Sequence, residues 1–387
     1  MGSMPNTDRK NLLLIVPTLR LGGQERVAVN TAEILNETYN VTMVIFDSRE
    51  AIYLPNCELI ELQLPAKSGA FNKAKNVFHR VVALKKLKKE REIDVSLSFG
   101  KTANLANTLS KTQGKTISAV HAYAGVTQGV LNRIIYRFSD CVVGCSKKIC
   151  SDIIQCFPEY ENKVECVENP YDQKTIWAQG NETVEDFTFG AHVVVAHGRL
   201  NEVKNHQRLI KSFSLVVQEI SDAQLLVIGE GEMRPELEEL IRRYNVEKNV
   251  SLLGFRKNPF AYLEKSTVYA LTSYSEGFPN ALVEAMFFLP VISVDCKSGP
   301  REILSDGVID QVCDGIEEAD YGILVSPAKK REWNPELTDD DRFLASAILS
   351  VLNDPEKRQR MKEKARLRAE QFSYENYREK LIKILEQ

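Results

Sequence analysis

No stretch of this 387-residue chain holds the ~18 consecutive apolar residues that a membrane-crossing helix needs. No two of its eight cysteines stand in the C-x2-C spacing of a zinc ribbon, and no secretory leader precedes the first strand-like run. Positive charge is not in surplus: 50 Lys and Arg meet 53 Asp and Glu, a net of −3, so no global field favours nucleic acid. The cysteines sit in or beside apolar segments, as in Cys141-Val142-Val143-Gly144-Cys145, and read as reduced, mostly buried thiols of a cytoplasmic protein. What is present is the balance of a water-soluble globular chain, 43% hydrophobic and 27% charged residues. Its length is too great for one ordinary core and suits two. Residues 1–4 are set aside as carrying no fold signal.

Short continuous apolar runs recur at 12–16, 41–46, 95–99, 116–120 and 141–144, with helical spacing between most of them. Such runs read as parallel strands covered on both faces, and their alternation with helices implies a doubly wound sheet. A second series follows the polar stretch 179–186, with runs at 193–196, 225–229, 250–253, 268–271, 291–294 and 322–325. Three charged amphipathic helices close the chain from 339 to 387. The expected architecture is therefore two Rossmann-like units: an acceptor-binding domain over 4–185, a nucleotide-binding domain over 186–365, and a terminal helix, 366–387, returning to the first. Ligands of open α/β sheets lie beyond the carboxyl ends of the strands, so two such sheets facing across a cleft would bind one there.

The densest chemistry lies in Ser275-Glu276-Gly277-Phe278-Pro279-Asn280-Ala281-Leu282-Val283-Glu284-Ala285-Met286. Pro279 is placed to be the first helical residue. Glu276 then falls in the preceding loop, and Glu284 in the second turn, about 10 Å on by helix rise. The amides from Gly277 to Ala281 surround the helix start and suit an anionic or hydroxyl-rich ligand. A solvated surface Glu would be unremarkable, but Glu284 is hemmed by Leu282, Val283, Ala285 and Met286, and a carboxylate in that company needs a partner.

Glu276-x7-Glu284, in the form EGFPNALVEAM, closely resembles the signature of retaining glycosyltransferases of the glycogen-synthase- and mannosyltransferase-like group, family 4 in type, with the GT-B fold. The resemblance continues in Gly22-Gly23-Gln24-Glu25-Arg26, Asn169-Pro170, Gly198-Arg199-Leu200 with Lys204, Gly229-Glu230-Gly231, Leu253-Gly254-Phe255 and Ser298-Gly299-Pro300-Arg301-Glu302. It implies a nucleotide-sugar donor, UDP-linked, with hexose or N-acetylhexosamine as the sugar. Glu284 would bind the ribose hydroxyls and Glu276 the sugar hydroxyls. Arg199 and Lys204 would meet the diphosphate, where charge grows as the sugar departs. Backbone groups around Gly254, Phe255 and Arg256 would read the base edge. Gly22 and Gly23 would let phosphate approach a helix start without a Cβ in the way, and His121, at a strand end, would contact the donor. Retention would proceed by same-face substitution, with no cofactor and no metal. Asp339-Asp340-Asp341 has the look of a metal motif but sits before a charged helix, where capping is the expected role.

On the acceptor side, residues 71–92 read as one helix. Ala74, Val77, Phe78, Val81, Leu84 and Leu87 form its apolar stripe. Its eight basic residues are Lys73, Lys75, Arg80, Lys85, Lys86, Lys88, Lys89 and Arg91, against Glu90 and Glu92. Such a helix is either a solvated outer face or a seat for an anionic membrane surface or diphosphate headgroup. The resemblance favours a glycan acceptor on a polyprenyl-diphosphate carrier at the inner face of the cell membrane, as in capsule or lipopolysaccharide assembly. Two rivals remain open at this level: a UDP-sugar 2-epimerase on a related fold, and a non-catalytic nucleotide-sugar-binding subunit.

Overall fold

The computed structural model describes residues 9–20, 22–66, 68–122, 129–305, 309–328 and 333–387. It divides into two compact units. The first comprises residues up to Pro170 together with Tyr374–Gln387; the second is Tyr171–Ser373.

The first unit is built on seven parallel strands: β1 (Asn11–Val16), β2 (Asn40–Ile45), β3 (Glu58–Glu61), β4 (Val95–Phe99), β5 (Lys115–Val120), β6 (Cys141–Gly144) and β7 (Val164–Cys166). Their order is β3-β2-β1-β4-β5-β6-β7. The apolar runs read from sequence are these strands, and Leu12, Leu13, Leu14 and Ile15 are wholly buried because helices cover both faces. β3 and β7 carried no such run: both are short, and β3 is mostly exposed at the sheet edge. The terminal helix Tyr374–Glu386 belongs to this unit, its Tyr377 and Leu381 packing into the core around Leu14 and Val27.

The helix Ala70–Glu90 departs from its expected stripe. Phe78 is 64% exposed, whereas Arg80 and Lys88 point inward at 6% and 2%. Arg80 lays its guanidinium over the Phe46 ring and donates to the Leu64 carbonyl. Lys88 donates from Nζ to the carbonyl and side-chain oxygens of Asn107 at 3.0 and 2.6 Å. Long aliphatic stems can pack as apolar residues while their heads find acceptors, so residue type alone misassigned the inner face.

The second unit repeats the plan with β8 (Val193–His197), β9 (Gln224–Ile228), β10 (Val250–Gly254), β11 (Val268–Leu271), β12 (Val291–Val294), β13 (Ile316–Ala319) and β14 (Gly322–Val325). The order is β10-β9-β8-β11-β12-β14-β13, all parallel except β13, which runs antiparallel to β14. The crossing into this unit falls at Tyr171 and not in the polar stretch 179–186. The helix Gln173–Gly180 already belongs here, with Trp177 packed edge-on against Phe287 and Phe288. Likewise the return to the first unit comes at Tyr374, after the helix Pro355–Ala369 has packed against β12 and β14. Among the described residues no helix is long and apolar enough to cross a membrane.

Burial pushes the Lys88 pKa from 10.5 down to about 7, with Lys111 adding to the effect and Asp140 opposing it. The folded chain thus releases a proton that the unfolded chain keeps across that window. Stability contributed by this site therefore rises with pH from about 7 to 10.5, at up to about 1.4 kcal/mol per pH unit. Urea unfolding of wild type and Lys88→Met at about pH 7 and pH 9.5 should show wild type gaining on the variant at the higher pH. A stability difference independent of pH would mean that Lys88 does not titrate in this way.

Candidate functional site

In the second sheet the strand order reverses at β8 and β11, which makes their carboxyl ends the topological switch point, the place where open α/β sheets bind ligands. His197 is the last residue of β8. Beyond it Gly198, at φ 146°, turns the chain into a short 3-10 turn, Glu202–Lys204, capped by the Asn201 side chain, which accepts from the Lys204 amide. Asn205 follows in the left-handed region, φ 52°, a conformation that Asn tolerates better than most residues. The segment after β11 is stitched to this turn: the Tyr274 amide donates to the Val203 carbonyl and Thr272 Oγ1 to the Lys204 carbonyl.

That stitching brings together two carboxylates and two basic side chains. Lys204 Nζ donates to Glu276 Oε1 at 2.7 Å, both side chains being mostly shielded. His197 Nε2 lies 2.9 Å from Glu284 Oε2, with Glu284 buried at 3% exposure. The partner that Glu284 needed is thus His197, which sequence reasoning missed. The signal was present: a polar ring closing the apolar run Val193-Val194-Val195-Ala196, in the same place that His121 holds after β5.

The loop holding Glu276 is propped from below by Ser298-Gly299. Ser298 Oγ donates to the Gly277 carbonyl at 2.9 Å. Gly299, at φ 82°, lies so close that a Cβ there would come within 2.5 Å of Pro279 Cδ. Pro279 is the cap residue, not the first helical one. Its ψ of 101° is extended, and the helix is Asn280–Met286. The Asn280 side chain accepts from the Tyr171 hydroxyl at 2.8 Å, while Phe278 is buried edge-on against Phe372. Arg301 is built into the scaffold: it binds Asp295 at 2.6 Å and Glu317 at 2.8 Å, joining the end of β12 to β13. Arg199 is exposed.

Gly198, Gly229 and Gly254 end three adjacent strands, all with positive φ, and a Cβ on Gly229 would fall 1.9 Å from the Gly198 carbonyl oxygen. Phe255 projects at 47% exposure. The Arg256 guanidinium is turned to Asp186 at 2.8 Å and the Tyr262 hydroxyl at 3.0 Å, which leaves its backbone for the predicted base contact. An open cavity of about 430 Å³ adjoins Arg256, lined also by Glu182, Asp186, Lys257 and Tyr262; neither carboxylate pair lines it. Asp339-Asp340-Asp341 opens a helix in which Thr338 and Asp341 form a capping box, and Asp341 pairs with buried Lys211 at 2.8 Å.

In the first unit the order reverses between β1 and β4; Gly22 and Gly23 follow β1, while His121 follows β5, one strand beyond β4. Gly22 caps the helix Gly23–Leu35, and the Glu25 carboxylate folds back to 2.1 Å from where a Gly22 Cβ would stand. His121 follows β5 with its ring against Phe99, centroids 5.4 Å apart. Burial pushes its pKa down to about 4, against a hydrogen bond with Asn169 that works the other way, so the ring is neutral at neutral pH.

Residues 185–368 match the family described as Glycosyl transferases group 1. An uncharacterized glycosyltransferase of Methanocaldococcus jannaschii is 33% identical over 60% of this chain, and the match spans 62% of that relative's own length. The Campylobacter jejuni protein named N-acetylgalactosamine-N,N'-diacetylbacillosaminyl-diphospho-undecaprenol 4-alpha-N-acetylgalactosaminyltransferase is 26% identical over 94% of this chain and 96% of its own. Among solved structures, Anabaena HepE in complex with UDP and glucose superposes with a TM-score of 0.73 at 18% identity, over 98% of this chain and all of its own. With the duplicated sheets and the paired carboxylates on one side and these relatives on the other, residues 185–368 form a group 1 glycosyl transferase domain within a chain that has the two-domain GT-B fold.

Proposed function

We propose that this transferase takes a hexose or N-acetylhexosamine from a UDP-sugar and passes it, with retention and without a metal, to a glycan carried on a polyprenyl diphosphate. The observation that carries the reading is the pairing at the β8 and β11 ends: two shielded carboxylates, each already met by a basic side chain. Glu284 is given the ribose hydroxyls and Glu276 the hydroxyls of the sugar. Lys204 faces the diphosphate, where a fixed cation counters the charge that develops as the glycosidic bond breaks. Arg199, exposed in the same loop after β8, would add a second positive charge to that contact. In this scheme the leaving phosphate oxygen takes the proton of the acceptor hydroxyl, so no separate base is needed. The name of the Campylobacter relative specifies a lipid diphosphate acceptor and an α-linkage, the outcome that retention gives from an α-linked donor.

The acceptor carrier would bring the first unit to the inner face of the membrane. On the helix Ala70–Glu90, Phe71, Lys75, Phe78, Val82, Lys85 and Lys89 follow helical spacing and are all exposed. A stripe mixing cations with large apolar groups suits an anionic lipid surface.

Three measurements test the proposal. Incubation with UDP-sugars and a polyprenyl-diphosphate-linked acceptor should release UDP and yield a product whose anomeric coupling by NMR matches the donor's. An inverted coupling would sink retention, and free epimerised donor would point to the epimerase instead. Glu276→Ala should lower kcat by about 100-fold while changing UDP affinity little; normal turnover would remove Glu276 from the reaction. Replacing Lys75, Lys85 and Lys89 by Glu should abolish cosedimentation with vesicles containing anionic phospholipid, and unchanged cosedimentation would refute the membrane seat.

A further inference from the structure

We propose that His197 is a positioning residue for Glu284, holding its carboxylate at the angle that receives the ribose hydroxyls of the donor. This inference rests on the reading of Glu284 as the ribose contact and adds a residue to it.

The argument begins with the cost of the carboxylate. Glu284 is 3% exposed, on a seven-residue helix whose neighbouring side chains Leu282, Val283, Ala285 and Met286 are all buried and apolar. A carboxylate so placed is either protonated or met by a donor. The donor comes from another element, His197 Nε2 at 2.9 Å. His197 itself has little freedom. It is the terminal residue of β8, in register with Ile228 of β9, and its ring stands edge-on to Tyr269 with centroids 5.5 Å apart. Tyr269 lies on β11, the strand beside β8, and is wholly buried. The imidazole is thus fixed by the sheet on one side and sets Nε2 against the carboxylate on the other, where an ionised Glu284 can only accept. One Glu oxygen tied to a rigid ring orients the whole planar group, which is how an outer partner sharpens a binding side chain.

A purely architectural tie between β8 and the Asn280–Met286 helix would look the same in the structure, so the test reads the ribose directly. Binding of UDP and of 2′,3′-dideoxy-UDP, which lacks both hydroxyls, is measured by calorimetry on the full chain. Wild type should prefer UDP by about ten-fold or more, the scale of a hydrogen bond to a charged group. Glu284→Ala should erase the preference. If Glu284→Ala keeps it, the ribose reading of Glu284 fails, and the role of His197 with it. Given that loss, His197→Ala should also shrink the preference towards unity, chiefly by weakening UDP, whereas His197→Gln, which presents an N–H near the position of Nε2, should retain most of it. If His197→Ala weakens both nucleotides alike, or leaves the preference intact, His197 is only a structural tie and the inference is overturned while the reading of Glu284 stands. Should His197→Ala not fold, His197→Phe takes its place: it keeps a ring against Tyr269 but has no N–H, and a preference preserved in Phe as fully as in Gln overturns the inference equally.

Discussion

Everything at the candidate site follows from the difficulty of keeping a carboxylate out of water. Glu276 and Glu284 are shielded to 11% and 4% side-chain exposure, and neither is tolerable there alone. Each is answered from the end of β8 or the turn that follows it, by His197 and Lys204. The second unit can be read as the scaffold that makes those two answers possible. Parallel pairing of β8 with β11 sets their carboxyl ends side by side. The hydrogen bonds from Tyr274 and Thr272 to the 203–204 backbone then fix the lysine opposite the loop that holds Glu276.

The glycines serve that scaffold more than they serve a ligand directly. Gly229 must lack a Cβ because the Gly198 carbonyl already occupies the space, and Gly299 because Pro279 and the Gly277 carbonyl do. In both cases the close approach is backbone against side chain or backbone within the protein. Gly22 is of another kind: its φ of −172° is ordinary extended backbone, and what stands near it is the Glu25 carboxylate. An acidic side chain over the start of a helix complements the helix dipole, and it marks the region as one that favours negative charge.

The sheets were legible because a parallel strand buried on both faces writes itself as an unbroken apolar run, as Leu12-Leu13-Leu14-Ile15-Val16 and Val193-Val194-Val195-Ala196 do. Edge strands leave no such mark: in Glu58–Glu61 acids flank two apolar residues, in Ile316–Ala319 apolar residues flank two acids, and none of the eight is buried. The carboxylates were legible from their sequence neighbours. Their partners were not, because Glu284 and His197 are 87 residues apart and only the sheet joins them. The inner face of the Ala70–Glu90 helix was misread for a related reason. Whether Lys88 turns inward depends on the Asn107 oxygens, supplied by a different helix, Lys101–Leu109.

The cations of the second unit illustrate how structure sorts residues that sequence treats alike. Arg199, Lys204, Arg256 and Arg301 all lie in motif segments, yet they have different fates. Arg301 is bound by two carboxylates and 6% exposed on its side chain, so its pKa is raised and its charge is committed to holding β12 and β13. Arg256, two residues past the end of edge strand β10, is bound to Asp186 and Tyr262. Lys204 has one carboxylate partner and 21% exposure, and Arg199 is exposed. A diphosphate brings charge that must be met without first dismantling the protein. Displacing Arg301 would leave buried Asp295 without its cation, held by the Cys313 amide, a loss of several kcal/mol for a buried pair broken on one side. Lys204 can turn a hydrogen of its ammonium to a new anion while keeping Glu276, because it has three donors and only one carboxylate to satisfy. On the proposed reading, Lys204 and exposed Arg199 are the cations available to a diphosphate, whereas Arg301 is committed to Asp295 and Glu317.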